Sequence, residues 1–196
     1  MVSGGGTNLQ ALIDGVAEGR ITGARIVLVL SSRDGVYALE RARKAGIKTA
    51  VISSEDYPEE NEKAEAILKA LKEADTDLVV TAGYINILDR SVCLAYKGRM
   101  INIHPALLPK HGGLGYYGLH VHRAVLAAGD RETGATVHYV DDRGIDSGEV
   151  ILQKSIPVLD SDTPESLQKR VLEEVEHDLI VEAISLIVKK LGHGKQ

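Results

Sequence analysis

Short runs rich in β-branched residues alternate with longer runs of helical period, and this alternation limits the fold more than any other feature. Strands are predicted over 24–32, 47–53, 77–83 and 99–104, with helices from Thr7 and over 36–45 and 59–74. After these we expect a Pro- and Gly-rich loop (105–118), a helix (119–128), two strands (134–141, 150–158) and a closing helix (163–191). Strands separated by helices indicate βαβ units. The sequence therefore predicts an α/β fold: a Rossmann-like, mostly parallel twisted sheet, with helices on both faces and antiparallel strands near the C-terminal half.

The composition favours one domain over residues 1–196, because 44% of the residues are hydrophobic and 26% are charged. No apolar run approaches the roughly 18 residues of a membrane helix, and the start lacks the charged-then-apolar pattern of a signal peptide. Cys93 is the only cysteine, which excludes an internal disulfide and fits a cytoplasmic protein. The net charge of -5, without a long basic run, disfavours nucleic acid as a partner. We expect no membrane partner, and either a monomer or a homodimer.

A glycine-rich loop precedes the first predicted helix in the stretch SGGGTNLQALIDG. Consecutive glycines let backbone N–H groups approach an anion closely, and a helix N-terminus adds a partial positive charge. Thr7 and Asn8 add side-chain donors. The loop is therefore either a phosphate site or a tight turn whose glycines only permit packing. It matches neither GxGxxG nor the Walker loop, which disfavours a nicotinamide cofactor or ATP.

The stretch INIHPALLPKHGG places Asn102 and His104 two residues apart at the end of a predicted strand. Side chains alternate along a strand, so both point the same way, at the edge where parallel sheets bind ligands. An amide donor and an imidazole can together stabilise a developing oxyanion. The alternative is a histidine that only hydrogen-bonds a turn, and the paired geometry favours the oxyanion site.

The stretch VDDRGIDSGEVI crowds three carboxylates into a turn: Asp141, Asp142 and Asp146. Acidic turns are usually just solvated, but a carboxylate aimed into a cleft can orient an imidazole or accept a proton through water. The pattern leaves open which aspartate points inward. Metal is disfavoured, because His120 and His122 lack the i, i+4 spacing of helical zinc sites and have no cysteine nearby. His138 fits a strand histidine with satisfied hydrogen bonds.

Several stretches occur together in the order and near the spacing of one family: SGGGTNLQALID, AGYINIL, INIHPALLPK, GLHVHRAVLAAGD, TGATVHYVDD and IDSGEVILQ. With them the chain resembles the phosphoribosylglycinamide formyltransferases nearly end to end. The resemblance implies the formyltransferase fold. It implies transfer of the formyl group of 10-formyltetrahydrofolate, a co-substrate, to the amino group of glycinamide ribonucleotide in de novo purine synthesis, without a metal.

The resemblance also assigns roles to residues of this chain. The catalytic residues would be Asn102, His104 and Asp146, which selects one of the three aspartates. The substrate phosphate would lie on Gly6, Thr7 and Asn8, and the ribose on Glu176. The folate would contact Ile85, Asn86, Ile87, Leu88 and Asn102. In the implied mechanism, Asn102 and a protonated His104 hydrogen-bond the formyl oxygen, while Asp146 accepts the proton of the attacking amine.

Four features depart from the family pattern. The family commonly has arginine at the position of Asn86 and a basic residue near Glu60. The loop 110–118 is longer by about five residues in our alignment, and a single residue is inserted just before Glu176. We expect the longer loop to lie over the cleft.

The start of the chain is a further departure, because family members carry about five more residues, reading as an apolar strand, before the glycine loop. Here only Met1, Val2 and Ser3 precede it. We therefore expect a gap in the middle of the sheet, where backbone groups lack partners. The interpretation is that the chain lacks its native start, or that Met1 is an internal methionine.

Other proteins share parts of this pattern. Methionyl-tRNA formyltransferases carry a further C-terminal domain and a basic surface, and formyltetrahydrofolate hydrolases carry an N-terminal regulatory domain. Sugar-nucleotide formyltransferases lack the GGGTN loop. A non-catalytic nucleotide- or folate-binding module with the same α/β shell is the rival from a different class.

Overall fold

The computed structural model describes residues 1–193 and shows strands and helices in the expected order. The strands are β1 (Val29–Ser31), β2 (Thr49–Val51), β3 (Val79–Thr81), β4 (Met100–His104), β5 (Glu132–Tyr139) and β6 (Val150–Pro157). The helices are α1 (Thr7–Ala17), α2 (Tyr37–Lys44), α3 (Glu60–Glu73), α4 (Arg90–Ala95), α5 (Leu119–Ala127), α6 (Pro164–Val171) and α7 (His177–His193). Within these described residues no helix is both long and apolar enough to cross a membrane.

The sheet is parallel in its first half and antiparallel in its second, as the sequence predicts. β1 pairs in parallel with β2, and β3 with β4, whereas β5 runs antiparallel to both β4 and β6. The parallel strands are shorter than predicted, and β1 covers only three of the nine residues 24–32. The shortening of β1 is explained by a gap between β1 and β3, which is described below.

Helices cover both faces of the sheet, and β4 shows how the sequence directs this. Its alternate residues Ile101 and Ile103 pack in the cluster that contains Leu179 of α7. Met100 points to the other face and packs with Ile67 of α3 and Val92 of α4. Because side chains alternate along a strand, a run of apolar residues can fill two cores at once.

The first three residues join the two halves of the sheet. Val2 donates its N–H to Leu30 at 2.9 Å, and its carbonyl accepts from Ser32 at 3.1 Å. On the other side, the Met1 ammonium donates to the carbonyl of Val80 at 2.6 Å, and Ala82 donates to the Met1 carbonyl at 3.0 Å. This is the bonding pattern of a parallel strand end between β1 and β3, and it carries the glycine loop.

A cavity of about 1050 Å³ lies beyond this strand end, between β1 and β3. Its lining is mainly apolar and includes Val27, Leu28, Leu71 and Leu78. The expected gap is therefore present, and within residues 1–193 no other strand fills it. Residues 24–28 face this gap, which explains why β1 begins only at residue 29. Burial lowers the pKa of the Met1 ammonium from 8.0 to about 5.

The closing helix differs from the predicted uninterrupted run over 163–191. It begins at Pro164, where Thr163 forms a capping box with Ser166, and it widens into a π-helical turn over Leu172–Glu176. A π turn absorbs one extra residue without rotating the helix that follows. The π turn includes the position just before Glu176, at which one extra residue is expected.

The sequence pattern does not predict helix α4. It has six residues, too few to show a helical period, and only its N-cap is a clear signal. The Asp89 carboxylate caps it by accepting from the N–H of Ser91 at 2.8 Å. Its residue Val92 completes the core beneath the segment 83–88, so it supports one wall of the site.

Candidate active site

A cavity of about 780 Å³ opens at the carboxyl ends of β3 and β4. Every residue that the sequence analysis assigned to a site lines it: Gly6, Thr7, Asn8, Ile85, Asn86, Ile87, Leu88, Asn102, His104, Asp146 and Glu176. These residues come from five separate segments of the chain. Their convergence places the glycine loop and the Asn–His pair in one cleft.

Asn102 and His104 end β4 on the same side of the sheet, as predicted. The Oδ1 atom of Asn102 accepts from Thr81 Oγ1 at 2.8 Å, which orients the amide. Its Nδ2 atom then lies 3.2 Å from His138 Nε2 and 3.4 Å from Asp146 Oδ1. The amide donors of Asn102 are thus aimed at the centre of the polar cluster.

Asp146 is the aspartate that points inward. Its Oδ2 atom lies 3.4 Å from His104 Nδ1, and its side chain is only 7% exposed. Asp141 pairs with Arg143 instead, and Asp142 with Arg90. Asp146 has a φ of 54°, a left-handed conformation that turns the chain back over the sheet edge.

The protonation states follow from burial and from the charges in contact. Burial lowers the pKa of His104, although the Asp146 charge opposes this. Burial alone raises the pKa of Asp146, but hydrogen bonding to His138, the charge of His104 and the N–H of Gly113 bring it below its usual value. Asp146 is therefore the more acidic partner of this pair, and its charge favours proton uptake by His104.

His138 belongs to this cluster, although the sequence pattern predicts only a strand histidine with satisfied hydrogen bonds. Its Nδ1–H donates to the Tyr139 carbonyl at 2.9 Å, and its Nε2 lies 3.4 Å from Asp146 Oδ1. It stands directly opposite Asn102 in the antiparallel register of β4 and β5. Opposite residues share a face of the sheet. The register of β5 on β4 is therefore what identifies His138 as a member of the cluster.

The glycine loop leads into α1 as expected, with one difference in the cap. Gly6, at φ 72°, is the N-cap residue, and Thr7 is the first helical residue, without a side-chain capping bond. The first turn of a helix has N–H groups without intrahelical partners. Here that turn lines the cavity, so its N–H groups are available to a ligand in the cleft.

Asn8 and Glu176 form a buried pair at this end of the cleft. Asn8 Nδ2 donates to Glu176 Oε2 at 2.7 Å, and burial raises the pKa of Glu176 to about 7. The π turn ends at Glu176, whose side chain points towards the glycine loop. One of the two N–H donors of the Asn8 amide is therefore taken up by Glu176.

The segment 83–88 forms a wall of the cleft with exposed apolar side chains. Ile85 and Ile87 are 43% and 59% exposed, and the N–H of Ile85 donates to Ser3 Oγ at 3.1 Å. Asn86 contacts Ser54 Oγ at 3.5 Å. Glu60 lies in the first turn of α3 and pairs with Lys63 at 3.9 Å.

The long loop lies over the cleft, in the place expected for it. Its residues 113–118 line the cavity, and Leu114 at its tip is 78% exposed. Within the described residues no three His, Cys, Asp or Glu side chains are arranged to hold a metal ion. The polar cluster is held together by hydrogen bonds and charge pairs.

The sequence profile of the formyl transferase family matches residues 1–184. The chain belongs to the formyl transferase family. This formyl transferase is 42% identical over 188 residues to the trifunctional purine biosynthetic protein adenosine-3 of Drosophila pseudoobscura pseudoobscura. The match covers 95% of this chain but 13% of that protein, so the chain spans a small part of that relative's length.

Two further relatives match over more of their own length. The chloroplastic phosphoribosylglycinamide formyltransferase of Arabidopsis thaliana is 38% identical over 190 residues, which is 96% of this chain and 64% of that protein. The crystal structure of glycinamide ribonucleotide transformylase 1 from Symbiobacterium toebii is 41% identical, with a TM-score of 0.89. It covers 96% of this chain and 85% of that one. The predicted formyltransferase fold is confirmed.

Replacing Gly6 by alanine is expected to lower the free energy of unfolding by about 2–4 kcal/mol. A Cβ there would lie 2.6 Å from the Cβ of buried Ala38, and the φ of 72° strains any side chain. Gly5→Ala is the matched control, because a Cβ there meets nothing within 4 Å and the backbone is not left-handed. Urea unfolding of both variants gives the comparison, and equal losses would show that Gly6 is not the constrained glycine.

Proposed function

We propose that this formyl transferase carries the formyl group of 10-formyltetrahydrofolate to the amino group of glycinamide ribonucleotide, in purine synthesis. The observation that carries the proposal is that Asp146 lies within 3.4 Å of both Asn102 and His104 in a cavity that the glycine loop also lines. A chemical centre and an anion site in one cleft suit an acceptor with a phosphate and an amine. The names of the relatives from Arabidopsis and Symbiobacterium support the same acceptor.

The acceptor would bind at the glycine-loop end of the cleft. Its phosphate would accept from the N–H groups of Gly6, Thr7 and Asn8, at the positive end of α1. Its ribose hydroxyls would reach Glu176, which Asn8 already orients at 2.7 Å. The apolar wall of Ile85 to Leu88 would hold the pterin ring of the folate.

The chemistry would begin when the acceptor amine attacks the formyl carbon. A C–N bond forms, and negative charge develops on the formyl oxygen, where Asn102 Nδ2 can donate. Removing one such donor raises a barrier by about 3 kcal/mol. The amine must lose a proton, which Asp146 accepts directly or through water.

His104 would gain its proton during the reaction. Burial lowers the pKa of His104, and the Asp146 charge opposes this. A proton that passes from the amine by way of Asp146 would form an imidazolium beside the developing oxyanion. The C–N bond to the folate nitrogen breaks when that nitrogen takes this proton. Protons therefore balance within the cluster, and tetrahydrofolate leaves.

The compartment is part of the proposal. Cys93 is a free, buried thiol, which fits a reducing environment such as the cytoplasm. A monomer or a homodimer, with small-molecule partners only, would suffice, because each of the proposed site residues lines one cleft of a single chain.

Steady-state formyl transfer tests the proposal, with 10-formyltetrahydrofolate as the donor and glycinamide ribonucleotide as the acceptor. We expect saturable turnover in both substrates, and none when an amino sugar nucleotide replaces the acceptor. Binding of both ligands without turnover would identify a non-catalytic binding module. Release of formate without acceptor would identify a hydrolase.

A further inference from the structure

The base of the long loop contacts both members of the catalytic pair through its backbone. His104 Nε2 lies 2.8 Å from the carbonyl oxygen of His111. The N–H of Gly113 donates to Asp146 Oδ2 at 3.0 Å. Because a carbonyl oxygen only accepts, the proton of the His104 ring lies on Nε2, and Nδ1 faces the Asp146 carboxylate. Two residues of the loop thus orient the ring and the carboxylate at the same time.

A side-chain pair outside the cleft holds this loop base in place. His111 Nε2 lies 2.7 Å from Asp130 Oδ2, and the two side chains are 11% and 13% exposed. Lys110 pairs with the same carboxylate but is 63% exposed. His111 has a φ of 54°. A left-handed conformation is unfavourable for a residue with a side chain and persists only where surrounding contacts enforce it.

We propose that His111 and Asp130 are positioning residues for formyl transfer: their contact holds the His111 carbonyl on His104 and the Gly113 N–H on Asp146. The inference rests on the proposed function, because the ring and the carboxylate it orients are the groups assigned to proton transfer. Neither His111 nor Asp130 is proposed to touch a reacting atom. Their role is exerted through the backbone between residues 111 and 113.

The carbonyl contact also affects the charge state of the ring. Four titratable groups face His104: Asp146, His138, His111 and His122. Asp146 and the His111 carbonyl favour the protonated ring, and the neighbouring imidazoles and burial oppose it. Loss of the carbonyl contact is expected to lower the pKa of His104 further. A purely structural role for Asp130 would leave this pKa unchanged.

Asp130→Ala is expected to lower kcat about tenfold, the size of one lost hydrogen bond, with little change in KM for glycinamide ribonucleotide. Asp130→Asn keeps an oxygen that accepts from His111 and should restore most of kcat. Lys110→Ala is the matched control, because it removes the other partner of Asp130 and leaves the His111 contact. It should have wild-type kcat.

A second variant covers the case in which Asp130→Ala does not fold. His111→Asn tolerates positive φ but is too short to reach Asp130, so it should lower kcat to a similar degree. Combining it with Asp130→Ala should produce no further loss if both act through one contact. Additive losses would overturn the proposal.

Nuclear magnetic resonance of protein labelled with ¹⁵N in its histidines tests the inference without substrates. We expect His104 to carry its proton on Nε2 in the wild type, and both its tautomer balance and its pKa to change in Asp130→Ala but not in Lys110→Ala. An unchanged His104 signal would overturn the positioning role, even in an active enzyme. If the wild type failed to transfer formyl groups, the proposed function would be wrong. The resonance measurement would still test whether the contact between His111 and Asp130 orients His104.

Discussion

Asp146→Asn is expected to lower the turnover number by about 10²–10⁴-fold, the usual contribution of a positioned acid–base group. The variant keeps the shape of the side chain but loses both the charge 3.4 Å from His104 Nδ1 and the proton acceptor. Binding of glycinamide ribonucleotide should be nearly unchanged, because its phosphate is expected on the glycine loop. Stopped-flow kinetics and calorimetry would separate the two effects.

Asp142→Asn is the matched control in the same acidic turn. Asp142 pairs with the exposed Arg90 at 2.8 Å, so its loss should change turnover little. Near-normal turnover in Asp146→Asn, or equal losses in the two variants, would rule out Asp146 as the proton acceptor.

Extending the chain before Met1 by about five alternating Val and Ile residues is expected to raise the free energy of unfolding by several kcal/mol. The cavity of about 1050 Å³ between β1 and β3 has an apolar lining. An added strand would bury its side chains there and pair with backbone groups on both sides. The extension also converts the buried Met1 ammonium into a peptide N–H, which can still donate to Val80.

Removal of the Met1 ammonium charge contributes to this gain in the free energy of unfolding only at lower pH. Because the pKa of the Met1 ammonium is depressed in the folded state, stability is present above the unfolded pKa of 8.0 and is lost as the pH falls towards about 5. Below pH 5 the loss reaches about 4 kcal/mol. Removing the ammonium should therefore stabilise the protein most at low pH.

A Gly- and Ser-rich extension of the same length is the control. It removes the ammonium at Met1 but has no apolar side chains for the cavity. It should show the pH-dependent gain alone, whereas the apolar extension should also gain stability at pH 9. Denaturant unfolding at pH 5 and pH 9 compares them. Equal stability of the two extended proteins at pH 9 would show that the cavity does not accept a strand.

Local patterns predicted much of the fold and part of the site. The alternation along β4 placed Asn102 and His104 on one face, because the direction of a strand side chain depends on its position alone. The glycines before Thr7 indicated the helix start in the same way, since positive φ is a local requirement. The spacing of the residues left open which of three aspartates points inward. The resemblance to the formyltransferase family selected Asp146.

The sequence by itself thus determined the order of strands and helices, the Asn–His pair and the glycine loop. Only the tertiary structure decided the contacts around them. Asn8 meets Glu176 across 168 residues, and His138 enters the cluster through the register of β5 on β4. The proton on His104 is placed by a carbonyl of the long loop. Such contacts depend on how distant segments pack and on what burial does to charge, and neither leaves a periodic signal in the chain.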